Sequence, residues 1–520
     1  MQLEPAMLDA VRQYFAALTR DITLVLATGE HAKRDELKTF LAQIVATAPR
    51  LSLTEAADPA FTSPVSFKIL ADGADTGIIF SGIPGGHEFS SLILAILQAG
   101  GSALKLDDSI QTLIRAARQP LAFTTYVSLS CHNCPDVVQT LNQFALLNPA
   151  ISSEMIDGGL FQEQIEAKNI QGVPAVYLNG EPFANGKIGT ARLVEKLLER
   201  YPDLASAAAP AEALPLQDVV VIGGGPAGSA AAIYAARKGL KVTVVADRIG
   251  GQVNDTMDIE NLISVPQTTG PQLAGNLRAH LAAWPVTLRE NLSVKTVEKG
   301  GATHKVVLNT GEVIETRTLI VASGAKWREL GIPGEKENIG NGVAFCPHCD
   351  GPFFKDKDIA VIGGGNSGVE AALDLAGIVK SVTVLEFMPE LKADKVLVEQ
   401  LGKRGNIRVI TNAAAQAIDS EGGKVSRLRY TDRATDTAQE LPLQGIFVQI
   451  GLAPNSDFMG DAVERTRFGE IVINAKCETS TPGVFAAGDV TTVPYKQIIV
   501  AMGEGAKAAL SAFDYLLRQA

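Results

Sequence analysis

Cysteine is scarce in this chain, five residues in 520. That excludes a small scaffold stapled by disulfides. Positive charge is also in deficit, with 46 Lys and Arg against 57 Asp and Glu, a net charge of −11. No basic run interrupts the balance, which excludes nucleic acid and anionic membrane surfaces as expected partners. Long apolar runs are missing too. Stretches such as IAVIGGG at 359–365 fall far short of the ~20 residues a membrane helix needs. The opening MQLEPAMLDAVRQYF has no charged segment leading into an apolar core, so no secretory signal is expected. These absences point to a soluble, cytoplasmic protein. A hydrophobic content of 46% over this length suffices for several cores, and length alone suggests three or four domains.

The few cysteines are not scattered. Four of the five form two C-x-x-C pairs, CHNC at 131–134 and CPHC at 346–349, while Cys477 stands alone and is expected to be a buried or half-buried bystander. In a reducing compartment such pairs indicate redox catalysis or metal binding. Two pairs can build a four-thiolate zinc site, but the usual spacer is ~15–20 residues. Here 211 residues separate Cys134 from Cys346, and a proline-containing linker lies between them. Redox chemistry is the better reading, and no metal is expected.

That linker is PDLASAAAPAEALPLQ, residues 202–217, rich in Ala and Pro. Beyond it the sequence repeats itself. VVVIGGGPAGSAAA at 219–232 returns 140 positions later as IAVIGGGNSGVEAA at 359–372. Each copy is an apolar strand, a glycine turn and a small-residue helix start, followed by a second strand, KVTVVAD at 241–247 and SVTVLEF at 381–387. These are two βαβ units and hence two dinucleotide-binding domains.

Gly223, Gly225 and Gly228 form the first G-x-G-x-x-G, and Asp247 follows 19 residues after Gly228 as the acid expected on a ribose hydroxyl. Glycines there permit the tight turn, the approach of the pyrophosphate and close helix–strand packing, with the phosphate on the helix N-terminus. Gly363, Gly365 and Gly368 form the second, with Glu386 eighteen residues on. An acid at that strand end favours a free 2′-hydroxyl, and EFMPELKADK contains no Arg for a 2′-phosphate, so NADH is preferred over NADPH. Glu386 as a plain solvated acid remains the competing reading. Two such domains suggest FAD plus NADH, with FAD at the first. FAAGD at 485–489 places Asp489 at a strand end, where it would meet the ribityl chain.

Before the linker, strand AFTTYVS at 122–128, the CHNC pair, a helix from 134 to 146 with Pro135 in its first turn, and the strand GVPAVYLNG at 172–180 follow the thioredoxin layout. Residues 1–100 have the same rhythm, with helices at 5–18, 33–48 and 88–98 and strands at 21–27, 66–70 and 77–80. This portion reads as a second such unit without cysteines, though periodicity alone does not establish it.

The motifs GGGPAG, VASGA at 321–325, CPHCD at 346–350 and VFAAGDV at 484–490 resemble the thioredoxin reductase family. CHNC, GGHEF at 85–89 and DIENLISVP at 258–266 narrow the match, and the whole chain is similar to the flavoprotein F subunits of bacterial alkyl hydroperoxide reductases. The resemblance implies an α/β chain of tandem thioredoxin-like folds followed by two Rossmann-like domains, as in thioredoxin reductase. Its divisions would be 1–101 without cysteines, 102–201 with CHNC, the linker 202–217, an FAD domain of 218–326 and 452–520, and an NAD domain of 327–451 carrying CPHC. It implies a homodimer whose partner is a two-cysteine peroxiredoxin, the peroxidase subunit of the reductase.

The resemblance also assigns roles. Pro226, Ala227, Gly251, Gln252, Ala322, Gly324, Gly488, Lys496, Gln497 and Ile498 would join the FAD site, and Asn366 and Ser367 the NADH site. Cys349 would be the flavin-proximal thiol and Cys346 the exchange thiol, with Asp350 managing protons or, alternatively, capping a helix. Cys131, near the start of its helix, would attack, and Cys134 would resolve the mixed disulfide. His132 either lowers the thiol pKa or is an exposed loop residue. Pro174 matches the usually cis proline opposite the active site. Glu88 would approach CHNC, with surface charge as the alternative. ASG at 322–324, where ATG is commoner, and Val490, where Cys is also seen, depart from the pattern without touching a redox role. NADH oxidase and thiol redox sensor are the rival functions.

Overall fold

In the computed structural model, residues 3–519 are described apart from 132, 171, 187, 205–213, 256–258, 260–261, 340, 346 and 423. Of Asp255, His348, Cys349, Pro352 and Leu452 only the backbone is described. The expected linker falls largely on 205–213, outside the described residues. The chain divides into two compact units, one of 1–105, 117–188 and 327–451, the other of 106–116, 189–326 and 452–520.

The first unit holds an eight-stranded sheet. Its elements in chain order are α1 (Pro5–Phe15), β1 (Ile22–Ala27), α2 (Arg34–Val45), β2 (Leu51–Ala56), β3 (Ser66–Ala71), β4 (Ala74–Ser81), α3 (Glu88–Ala99), then β5 (Leu121–Val127), the helix Cys134–Leu147, β6 (Ile151–Asp157), β7 (Ala175–Leu178) and β8 (Glu181–Asn185). The strand order is β2-β1-β3-β4-β6-β5-β7-β8. β1 lies parallel to β2 and antiparallel to β3, which turns back into β4. β5 repeats the pattern, parallel to β6 and antiparallel to β7, which turns back into β8. One topology therefore occurs twice, joined where β4 runs parallel to β6. The repeated pairing gives 1–100 the same strand topology as the half that carries CHNC, a likeness that periodicity could not show. The edge strand β2 was not expected, because LSLTEA is mostly exposed and carries no core-facing stripe. Strand 77–80 begins earlier, at Ala74, and the first helix ends at Phe15 rather than 18.

Apolar strands and aromatic pairs hold this sheet. Phe67 stacks on Phe80 across β3 and β4 with ring centroids 5.4 Å apart, and Phe123 of β5 meets Phe144 edge-on at 6.4 Å. The same unit contains a parallel five-stranded sheet with Asp358–Ile362 flanked by Ser381–Leu385 and Gly445–Val448. A three-stranded antiparallel sheet, Ala413–Glu421, Lys424–Asp432 and Thr437–Pro442, follows it in sequence.

The second unit is built on Gln217–Ile222, paired in parallel with Val242–Ala246 on one side and Val313–Val321 on the other. Helix Pro226–Arg237 packs over it, and the long helix Ile498–Gln519 lies against that helix at Gly505, where a Cβ would sit 2.0 Å from the Ala227 carbonyl. Among its charged groups, Arg289 lies between Asp107 and Glu312, both at 2.6 Å, with all three side chains almost buried. Burial opposes the ionisation of Asp107, but the guanidinium and Ser109 outweigh it and hold that carboxyl below its usual range.

Candidate functional site

Strand β5 ends at Val127 and the next helix begins at Cys134, so CHNC fills the turn between them. Cys131 and Cys134 are free thiols, 2% and 0% exposed. The Cys131 amide is tied to the Ser128 carbonyl at 2.9 Å, and its Sγ points to the Val173 carbonyl at 3.8 Å. The Val173–Pro174 bond is cis, as the resemblance implies.

The two thiols are made unequal by their surroundings. A hydrogen bond from Cys134 lowers the pKa of Cys131 against the opposing effect of burial, and the amides of Asn133 and Cys134 lower it further. Burial and the neighbouring Cys131 push Cys134 far up. Thiolate character therefore concentrates on Cys131. His132 lies outside the described residues.

Two carboxyls face this pair, one buried and one half-buried. Glu88, in the first turn of α3, is fully buried, and burial pushes its pKa up to about 7, with the charge of Asp136 adding to the shift. Neither of its oxygens has a well-formed hydrogen bond among the described residues, and the Ser91 hydroxyl gives only partial relief. Its charge would in turn raise Cys134. The backbone explains how α3 comes so close. Gly86 adopts φ +54°, its Cβ position lies 2.3 Å from the Leu129 carbonyl, and the His87 amide bonds that same carbonyl at 2.9 Å. Only glycine permits that approach and that conformation together. GGHEF is thus a clasp that pins the head of α3 to the CHNC turn.

The second carboxyl is Asp350, which ends the short helix Pro347–Asp350. Burial raises its pKa to about 7, and its charge opposes ionisation of Cys131. The residue that directly follows CPHC therefore lies within electrostatic reach of the attacking thiol of CHNC. Cys346 is outside the described residues. Cys349 contributes backbone to the same helix, and its side chain is outside them as well.

The two glycine turns divide their labour identically. A Cβ on Gly223, at φ +111°, would meet the Ala322 carbonyl at 2.1 Å, and one on Gly363 the Gln449 carbonyl at 2.1 Å. On Gly228 and Gly368 it would strike the carbonyls of Gly223 and Gly363 at 1.9 Å. At Gly225 the nearest atom is 3.9 Å away, and at Gly365 nothing lies within 4 Å. The first and third glycines are required by packing, and the middle ones keep a space open at a helix start. Such a cradle fits a dinucleotide pyrophosphate.

Around the first turn, Pro226 and Ala227 open the helix, Gly251 and Gln252 start the turn Gly251–Asp255, and Ala322 is bonded through its amide to the Ile222 carbonyl. Gly324 takes φ +65° with open space at its Cβ position. Gly488 and Asp489 lie in the turn after Val484–Ala486, where burial raises the Asp489 carboxyl against the pull of Lys496. Lys496 also pairs with Glu470 at 3.1 Å, Gln497 bonds the Tyr495 carbonyl, and Ile498 begins the last helix. Asp247 lies against Gly189 and accepts from the Ala191 amide at 3.4 Å, an engagement the motif spacing does not reveal.

At the second turn Glu386 is 8% exposed, not a solvated acid. It accepts from the Gly364 amide at 2.6 Å and the Met388 amide at 2.7 Å. Asn366 exchanges hydrogen bonds with Asp394, and Ser367 beside it is exposed. Sequence reasoning found no arginine near this strand end. Arg433, from the end of Lys424–Asp432, nevertheless lies 3.7 Å over the Phe387 ring. Cys477 is fully buried, with Sγ donating to Glu504 at 3.0 Å.

Comparisons with known proteins agree with this geometry. Residues 217–505 match the pyridine nucleotide-disulphide oxidoreductase family, and 123–199 match a thioredoxin domain. The F subunit of the alkyl hydroperoxide reductase of Pseudomonas aeruginosa is 48% identical, covering 98% of this chain and 99% of its own. A protein called NADH dehydrogenase from Ferdinandcohnia aciditolerans is 46% identical over 100% of this chain and 98% of its own. Among solved structures, Lactococcus lactis thioredoxin reductase is 34% identical with a TM-score of 0.54, covering 58% of this chain and 99% of that one.

Proposed function

The chain belongs to the F-subunit family of the alkyl hydroperoxide reductases, within the pyridine nucleotide-disulphide oxidoreductases, and we propose that it carries electrons from NADH through two dithiol–disulfide pairs to the disulfide of a peroxidase subunit. It is a flavin-dependent disulfide reductase. FAD, cradled at Gly223, Gly225 and Gly228 with Asp489 beside it, supplies the two-electron transfer between nicotinamide and disulfide when bound. Gly363, Gly365, Gly368 and Glu386 hold the reductant.

The single observation that carries the relay is the reach of Asp350 to Cys131. It supports a direct exchange between CPHC and CHNC. In that exchange the Cys346 thiolate attacks Cys131 Sγ and the Cys131–Cys134 bond breaks. The electron pair leaves on Cys134, whose surroundings strongly disfavour a thiolate. A proton must arrive there, and Glu88, in its acid form below about pH 7, is placed to give it. Cys349 then attacks Cys346 and frees Cys131, closing the first disulfide and leaving CHNC reduced. Asp350 in its acid form removes the charge that would oppose the departing Cys131 thiolate.

The reduced CHNC pair passes its electrons to a two-cysteine peroxiredoxin. The thioredoxin-like layout and the relatives' name support that partner. Homodimerisation belongs to the same reading, supported by exposed Ile499, Leu510 and Leu517 on the last helix. So does a cytoplasmic site of action, where NADH and a reducible peroxidase disulfide meet. No helix among the described residues is long and apolar enough to cross a membrane.

The test is NADH-dependent reduction of a chromogenic disulfide by the intact protein and by Cys131→Ser/Cys134→Ser, with flavin bleaching followed anaerobically. The variant should bleach normally and lose most disulfide reduction. Unchanged reduction would remove CHNC from the path. The relative called NADH dehydrogenase keeps a second reading alive, in which reduced flavin meets oxygen directly. Oxygen uptake unaffected by Cys346→Ser would favour it.

A further inference from the structure

The strand Ser381–Leu385 ends at Glu386, and the next two residues, Phe387 and Met388, are 53% and 41% exposed. Two large apolar side chains in solvent, immediately beyond the acid of a dinucleotide site, are unusual enough to ask what covers them. The nearest group is cationic. The Arg433 guanidinium lies over the Phe387 ring at 3.7 Å and donates from Nη1 to the Phe387 carbonyl at 2.7 Å. Its backbone is held as firmly, with the Arg433 amide on the Asn412 carbonyl at 2.7 Å and the Ala434 amide on Asp432 at 2.9 Å. Asn412 in turn bonds the Met388 carbonyl. These bonds fix one exposed guanidinium plane beside the end of this strand.

We propose that Arg433, backed by Phe387, is the shelf on which the adenine of the reductant lies. This rests on the reading of the second glycine turn as the NADH site. In a doubly wound sheet the ribose hydroxyls meet the acid at the end of the second strand, so the adenine lies just past it. A planar guanidinium already stacked on an aromatic ring presents its other face to solvent, and such a face stacks on a base. The neighbouring carboxylate of Glu386, held by two amides, is suited to accept from a 2′-hydroxyl and would repel a 2′-phosphate. Arg433 would attract that phosphate. The site therefore contains both signs, and the acid decides because it is the nearly buried one.

The test is equilibrium binding, so it does not depend on turnover. NAD⁺, NADP⁺ and 5′-AMP are titrated into the FAD-loaded full chain by calorimetry for wild type, Arg433→Ala, Arg433→Lys and Glu386→Ser. Arg433→Ala should bind both NAD⁺ and 5′-AMP about fivefold more weakly or worse, because both carry the adenine. Arg433→Lys keeps the charge but not the plane, and should not restore binding. Glu386→Ser should gain affinity for NADP⁺, and adding Arg433→Ala should abolish that gain. Unchanged NAD⁺ and 5′-AMP affinity in Arg433→Ala overturns the shelf, as does full rescue by lysine. If NAD⁺ affinity were unchanged by Gly365→Val, the reading of the second turn would be at fault rather than the role of Arg433.

Discussion

At the scale of single residues, Glu88 makes the clearest demand on its surroundings. Burial lifts its carboxyl from an ordinary 4.5 to about 7. An acid whose folded pKa is raised costs nothing below its unfolded value. Its cost grows as pH rises from 4.5 towards 7 and is complete above that. Glu88→Gln should therefore gain stability relative to wild type across that window, by about 3 kcal/mol at pH 8 compared with pH 4.5. Thermal unfolding at the two pH values measures it, and parallel melting curves would remove the buried charge from the account. The same substitution should flatten the pH dependence of electron transfer into CHNC. The wild-type rate should fall as pH rises through 7, as the proton-bearing form of Glu88 disappears, and stopped-flow reduction between pH 6 and 8 reads that slope.

At the scale of elements, two contacts inside the second unit can be broken by single substitutions. Gly505→Ala would place a methyl against the Ala227 carbonyl and push the last helix away from Pro226–Arg237, whose first turn lines the FAD cradle. The expected result is protein with less bound flavin and a loss of about 1–3 kcal/mol in stability, read from the absorbance ratio and the melting curve. Arg289→Met leaves Asp107 and Glu312 as buried, unneutralised carboxylates and should cost about 3–5 kcal/mol. Adding Asp107→Asn and Glu312→Gln should recover much of it. These elements also mark what the sequence discloses. The glycine turns and C-x-x-C pairs are legible because their chemistry lies within a few consecutive residues. Glu88 was legible only through resemblance, since nothing local says that α3 returns to the CHNC turn. Arg289 and Asp107 are 182 positions apart, and Arg433 reaches Phe387 across 46. Pairings of that range leave no periodicity to read. The strand Thr437–Pro442 and the edge strand β2 escaped for a related reason, as exposed strands lack the alternation that buried ones display.

At the scale of the molecule, the chain should store electrons in three places, the flavin and two thiol pairs. Anaerobic titration of the FAD-loaded protein should therefore consume about three two-electron equivalents of NADH per chain, and Cys131→Ser/Cys134→Ser about two. Equal uptake by both would mean that CHNC does not exchange with the rest.

The clasp of Gly86 on the Leu129 carbonyl bears on the division of labour as well as on geometry. It brings the acid of one thioredoxin-like half to the sulfurs of the other. On the proposed relay the repeated topology parts two roles, the half with cysteines keeping the electrons and the half without them the proton. Neither half alone would then be a complete redox centre.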